Sequence, residues 1–315
     1  MLAVIAILSL VAAGVIHRSH GGALAKGRMA QPDAATAHVQ KKVNPGTYKA
    51  TLLLSNGKPM GLDSSTIGLR PTGDEEPVQM GVDIISYVSS IQHVRSENQT
   101  FKTTGSYHTL KTPRGGMFAV LLPDGSKVWL NNASSLYYPV HFNGRDRRVV
   151  LTGEANFTVV KDASRPFIVT TYGKEWKVLG TQFTVTAYTA AIRTVLQEGR
   201  VEVAAGSRQQ LLEAGQQLDI TNSGAWKVKK AEDVASADAW TRGLFYFRDM
   251  TLTEILRSLA RWYDVDLDTS LLTSDPLRGA IKISRSAELI DILPGLEDDK
   301  IHIRLKGNTI VASYR

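Results

Sequence analysis

Residues 112–139, TPRGGMFAVLLPDGSKVWLNNASSLYYP, decide the fold. Proline disfavours helical backbone in the residue before it, and Gly115-Gly116 admits angles closed to other residues, so no helix runs through 112–116. Residues 117–122 are an apolar run stopped by Pro123-Asp124-Gly125. There proline presets one backbone angle, and Asp and Gly tolerate a tight reversal. Val128 and Leu130 follow at period two, so the unit is a β-hairpin with one apolar face. Residues 131–135 turn the next corner, and 136–141 make a further strand. The same word stands 68 residues upstream, with Leu54, Gly57 and Leu62 in the places of Leu122, Gly125 and Leu130. A strand–turn–strand word used twice points to a stacked β architecture.

Working outward, 48–62 reads as a first hairpin and 82–88 as one strand. From 107 to 228, turn signals arrive roughly every 8–12 residues, the rhythm of an all-β domain. Short alternating stretches lie between them: 148–151, 155–160, 167–170, 176–179, 183–188, 194–196, 201–203, 211–212 and 217–220. A turn is expected at Gly153. The fold class is mainly β, a stacked β-roll or solenoid first and a sandwich second, followed by a small α+β domain. That small domain begins near 231. A linker helix is expected over 232–240 and a strand over 244–247. Thr251 and Glu254 have capping-box spacing, and Leu252, Ile255, Leu256, Leu259 and Tyr263 make one apolar stripe, so 251–262 is a helix. Strands at 265–267 and 280–283, a helix over 286–296, and strands at 301–305 and 309–311 complete it.

The words TPRGG…LPDGSKVWLNNASSLYYP, RRVVLTGEANFTVVKDASRPFIVTT, VLGTQFTVTAY, VLQEGRVEV and LEAGQQL occur here in order. This series resembles the FecR family of envelope anti-sigma regulators, from about Tyr48 to the C-terminus. Thr184 stands where the family prefers Asn. The resemblance implies four parts: a transmembrane segment at 1–18, a flexible basic stem at 19–47, a periplasmic β domain at 48–230, and a C-terminal signalling domain at 231–315. The last is similar to the short domain at the N-terminus of secretins and TonB-dependent receptors. The implied role is to relay the state of a TonB-dependent outer-membrane receptor to an extracytoplasmic-function sigma factor, across the inner membrane. The sensed nutrient would be an iron chelate or a glycan.

Charge and hydropathy bear on that picture. Residues 1–60 hold seven Lys or Arg against the single acid Asp33, so nearly all of the net charge of +7 sits at this end. Such a distribution suits anionic headgroups beside a membrane rather than a nucleic-acid track. Residues 2–16 are apolar or small, but a full span needs about 20 residues. The stretch reads as a truncated anchor, with the basic upstream flank and the helical cytoplasmic anti-sigma domain expected to lie outside this chain. A signal peptide is the other reading, with Ala23-Leu24-Ala25 as a cleavage site but no positive n-region. Cysteine is absent, which excludes a disulfide framework and thiolate metal sites.

Catalytic chemistry finds no constellation, and no cofactor or metal is expected. His17 and His20 have no third ligand beside them. Asp264, Asp266, Asp268 and Asp275 mimic a calcium loop, but Thr269 stands where the sharp turn needs glycine. Glu154 lacks a second carboxylate and reads as a corner group. At Gly180-Thr181 the hydroxyl could attack the preceding carbonyl and split the chain, as some FecR-like regulators do; the other reading is a tight turn. Trp240, Phe245, Phe247, Trp262 and Tyr263 read as core, with any exposed member a partner anchor. An envelope carbohydrate-binding module, or a polysaccharide-active enzyme on a β-solenoid, is the competing function.

Overall fold

The computed structural model describes residues 42–67, 78–79, 81–87, 106–270, 279–297 and 299–314. The candidate membrane segment, most of the stem, His17, His20 and Asp275 lie outside them. Among the described residues no helix is long and apolar enough to cross a membrane.

The alternating stretches become strands in two layers. The first layer runs β3 (Pro59–Leu62), β2 (Ala50–Leu53), β6 (Tyr107–Thr112), β9 (Ser134–Pro139), the first half of β10 (Arg147–Thr158), β11 (Phe167–Thr171), β12 (Lys174–Val178), β15 (Arg200–Ala205) and β16 (Arg208–Glu213). The second runs β4 (Val78–Gln79), β5 (Ile84–Ser86), β7 (Gly116–Leu121), β8 (Lys127–Leu130), the second half of β10, β13 (Gln182–Ala187), β14 (Ile192–Glu198), β17 (Gln216–Ile220) and β18 (Trp226–Lys230). From β11 onward the chain lays two strands in one layer and the next two in the other. The inward residues of every second position form a single core, in which Phe118, Phe157, Phe167, Trp176 and Phe183 are fully buried.

The repeated word is real at the level of hydrogen bonds. Leu54 N donates to Lys58 O and Gly57 N to Leu54 O; Leu122 N donates to Ser126 O and Gly125 N to Leu122 O. Both glycines need their place, at φ +80° and +84°. Gly153 corrects the sequence reading: 148–151 and 155–160 are not two strands about a turn but one 12-residue strand. At φ +90° Gly153 bends β10 from one layer into the other, and a Cβ there would lie 2.4 Å from Ser134 Oγ.

The C-terminal region has the expected α+β order: β19 (Leu244–Arg248), α1 (Leu252–Tyr263), β20 (Asp266–Asp268), β21 (Ala280–Ser284), α2 (Leu289–Ile292), β22 (Ile301–Lys306) and β23 (Thr309–Tyr314). The capping box of α1 is complete, with Glu254 N donating to Thr251 Oγ1 at 3.2 Å and Thr251 N to Glu254 Oε2 at 2.9 Å. The stripe of α1 joins β19, α2, β22 and β23 in a second core. Two helices fall short of expectation. In place of a helix over 232–240 stand two separate 3-10 turns, Val234–Ser236 and Ala239–Arg242, neither with a side-chain cap. Residues 286–296 give one α-turn that tightens into a 3-10 turn where Pro294 lacks a donor.

Candidate domain-coupling site

The decisive stretch of sequence is also where the two cores meet. Thr112–Gly116 is a tight loop at the end of β6, and it is backed onto the C-terminus of α1. Gly115 N donates to Arg261 O at 2.8 Å, and Gly115 O accepts from Thr47 N at 2.9 Å. Arg114 closes the contact: Nη2 donates to Ala260 O at 3.0 Å and to Val265 O, and Nε reaches Asp264 Oδ1 at 3.0 Å. The last carbonyls of a helix carry its negative end, so a planar guanidinium suits them.

Beside it Arg285, which follows β21, points from the C-terminal core into the β domain and is 2% exposed. Its guanidinium lies 3.7 Å from the Trp262 ring centroid and 5.1 Å from that of Phe245. Nη2 donates to Asn131 Oδ1 at 2.9 Å. Asn131 Nδ2 in turn donates to Glu154 Oε2 at 2.7 Å, while Thr186 donates to Glu154 Oε1 at 3.1 Å. Tyr188 donates to Asn132 O at 2.8 Å under the guanidinium of Arg261, 3.9 Å from its ring. Burial lowers the Arg285 pKa to about 10, with the Glu154 charge opposing the shift. Arg285 therefore stays charged at neutral pH, with Glu154 as the anion of its network.

The chain enters the β domain through this junction. Lys42 pairs with Glu288 at 2.9 Å, and Val43 packs on the second core. A Cβ on Gly46 would meet the Trp262 ring at 2.7 Å and Gly115 O at 2.8 Å. β1 (Thr47–Tyr48) then pairs in parallel with β7. Residues 42–48 thus run between the two bodies, in contact with both.

Trp240, Phe245, Phe247, Trp262 and Tyr263 are all buried, at 3–7% exposure. Trp262 and Phe245 face Arg285, and the Trp240 carbonyl accepts from its Nη1 at 3.4 Å. Glu154 accepts from side chains rather than from turn amides. Asp264 caps α1 in the left-handed region, and Asp266 and Asp268 are exposed on β20. Among the described residues no group of three or more His, Cys, Asp or Glu is arranged to hold a metal. Gly180 and Thr181 form the corner between β12 and β13, where the Thr181 hydroxyl donates to Arg200 O at 3.2 Å.

A family model described as FecR protein matches residues 108–202, and one described as FecR, C-terminal matches 244–312. The chain belongs to the FecR family. The first match supplies Arg114, Asn131, Glu154 and Tyr188, the second Arg261, Trp262 and Arg285, so the junction is where the two matched regions of this chain touch. Two crystal structures, at 1.65 and 2.50 Å, of a candidate anti-sigma factor from Parabacteroides distasonis ATCC 8503 are similar to it. Each is 29% identical, covers 66% of this chain and 99% of that one, and superposes with a TM-score of 0.61. No curated protein matches the chain.

Proposed function

We propose that this FecR-family chain is a membrane-anchored signal transducer of the cell envelope, a sigma-factor regulator that turns over no external substrate. The likeness to a candidate anti-sigma factor supports the regulatory role. The observation that carries the mechanism is the routing of residues 42–48 between the two bodies. A protein docked on the C-terminal domain changes how that domain's Arg285 meets Asn131 and how its helix α1 meets Arg114, and the stem is held beside the same contacts. The apolar stretch 2–16 anchors the stem in the inner membrane, the described residues lie in the periplasm, and the sigma factor is reached through a cytoplasmic domain. The docking partner is the signalling domain of a TonB-dependent receptor. It adds a strand to β21, whose outer positions Ala280 and Ser284 are exposed and which pairs only with β19 among the described residues. A sigma-dependent reporter tests the reading: Gly46→Val should fix the output in one state whether or not inducer is present. A normal inducible response in that variant, with the protein present at wild-type level, would refute it.

We also propose that the chain cuts itself at Gly180-Thr181. A Cβ on Gly199 would lie 2.9 Å from Gly180 O and 3.0 Å from Thr181 Oγ1, so carbonyl and hydroxyl crowd together over a residue without a side chain. Thr181 Oγ attacks the Gly180 carbonyl carbon, the C–N bond breaks, and the freed amine takes the hydroxyl proton. Water then hydrolyses the ester, leaving a Gly180 carboxylate. β12 and β13 are each paired on both sides, so the fragments stay together after the cut. A denaturing gel should show two fragments in the wild type and one intact chain in Thr181→Ala; an intact wild type ends the proposal.

A further inference from the structure

At the start of β6, one strand length from the junction loop at its end, the first layer carries a different feature on its outer face. The rings of Tyr107 and Tyr137 stack at 4.7 Å with 9° between their planes, and the two residues are 40% and 43% exposed. Val150, opposite Tyr137 on β10, is 44% exposed. Beside Tyr107 opens a cavity of about 240 Å³, whose polar lining is Ser106, His141, Asn143, Asp146 and Arg148. Arg148 is tied between two carboxylates: Nε donates to Asp146 Oδ2 at 2.9 Å and Nη1 to Glu175 Oε1 at 2.6 Å, so the rim carries no excess of positive charge.

The chemistry selects the occupant. The exposed rings, stacked on one another and joined to Val150, offer apolar contact to a flat partner. An anionic ligand would meet Asp146 and Glu175. An acyl chain would meet a rim of amide, carboxylate and guanidinium. A peptide strand has no edge to join, because β6 is paired with β2 and β9, and β9 with β6 and β10. A pyranose satisfies all three conditions. Its C–H face packs on an aromatic ring, and its neighbouring hydroxyls bridge a carboxylate oxygen and a planar nitrogen donor. The cavity is smaller than the roughly 300 Å³ at which sites for drug-sized ligands begin, so it takes a single sugar unit, with further units across the rings.

We infer that Tyr107, Tyr137 and the cavity rimmed by Asn143, Asp146 and Arg148 form a binding site for a neutral oligosaccharide. This surface is independent of the junction and of the transducer reading. The test is titration calorimetry of the purified protein with maltohexaose, cellohexaose and mannohexaose, and with polygalacturonate as the acidic comparison. At least one neutral hexasaccharide should bind with a Kd between about 10 μM and 1 mM. Tyr137→Ala should weaken it at least tenfold and Asp146→Asn at least threefold, both with unchanged melting temperature. No binding of any neutral probe, a preference for polygalacturonate, or equal binding by the Tyr107→Ala/Tyr137→Ala double variant would each overturn the inference. So would loss of a protein partner in Tyr137→Ala without any saccharide affinity.

Discussion

Replacing Arg285 by methionine separates stability from coupling at the junction. Burial pulls the guanidinium pKa well below its ordinary value, to about 10, even with Glu154 opposing, so at about 1.4 kcal/mol per unit the charge costs roughly 3 kcal/mol to bury. The Trp262 and Phe245 faces, at 3.7 and 5.1 Å, return about 2 kcal/mol together. Methionine fills most of the same volume without the charge. Asn131 Oδ1 keeps its bond from Asn132 N at 2.9 Å, and Glu154 keeps those from Asn131 and Thr186. The terms nearly cancel, so Arg285→Met should change the unfolding free energy by no more than about 1 kcal/mol. What it removes is the directional tie between the two cores. Urea unfolding measures the first quantity. Hydrogen exchange at Gly115 N–H, which is bonded across the junction to Arg261 O, measures the second. Unchanged midpoint with at least tenfold faster exchange is expected. A loss of more than about 3 kcal/mol, or exchange at the wild-type rate, would refute the reasoning.

Three further outcomes follow from other parts of the structure. His108 is 2% exposed, its Nδ1 is 2.6 Å from Tyr87 OH, and burial depresses its pKa from 6.5 to about 4. The unfolded chain takes up that proton first, so about 3 kcal/mol of stability is present above pH 6.5 and is lost as pH falls towards 4; His108→Gln should flatten this slope in chemical unfolding at stepped pH. Gly153→Ala combines φ +90° with a Cβ 2.4 Å from Ser134 Oγ, and should cost about 3 kcal/mol or more in urea unfolding. Gly46→Ala drives a methyl into the Trp262 ring at 2.7 Å, so fluorescence of that tryptophan should shift to the red while the far-ultraviolet dichroism of the β domain stays unchanged.

What could be read from the sequence was what neighbouring residues settle among themselves. The Thr251/Glu254 box closes over three residues, and the turns at Asn56-Gly57 and Asp124-Gly125 close over four, so their chemistry is visible in one window. Gly153 has the same residue type as those turn glycines, but its cause is remote: Ser134 of another strand forbids a side chain there. Arg285 is harder still. In ISRSAE it looks like one more surface arginine, because its partner Asn131 stands 154 residues away. The aromatics Phe245 and Trp262 read as core in the sequence, yet their use is to sandwich that cation, which no periodicity encodes. Residues 232–240 have the composition of a helix but no cap and no apolar stripe, and the chain spends them in two short turns.

The choice of groups at the junction argues for exchange between two states rather than for a permanent weld. An apolar junction of the same area would hold more strongly, because the buried Arg285 guanidinium must shed its water to sit there. Arg114 on the carbonyls of α1, Arg261 over Tyr188 and Arg285 against Asn131 instead fix direction, since each planar fork has few acceptable partners. A contact that is directional yet close to energetic balance can be released by a modest input from outside. Released, the three forks find water at once, whereas parted apolar faces would gain nothing. A junction built to stay shut would spend its buried area on leucines, and one built to open under a docked partner has reason to look like this one.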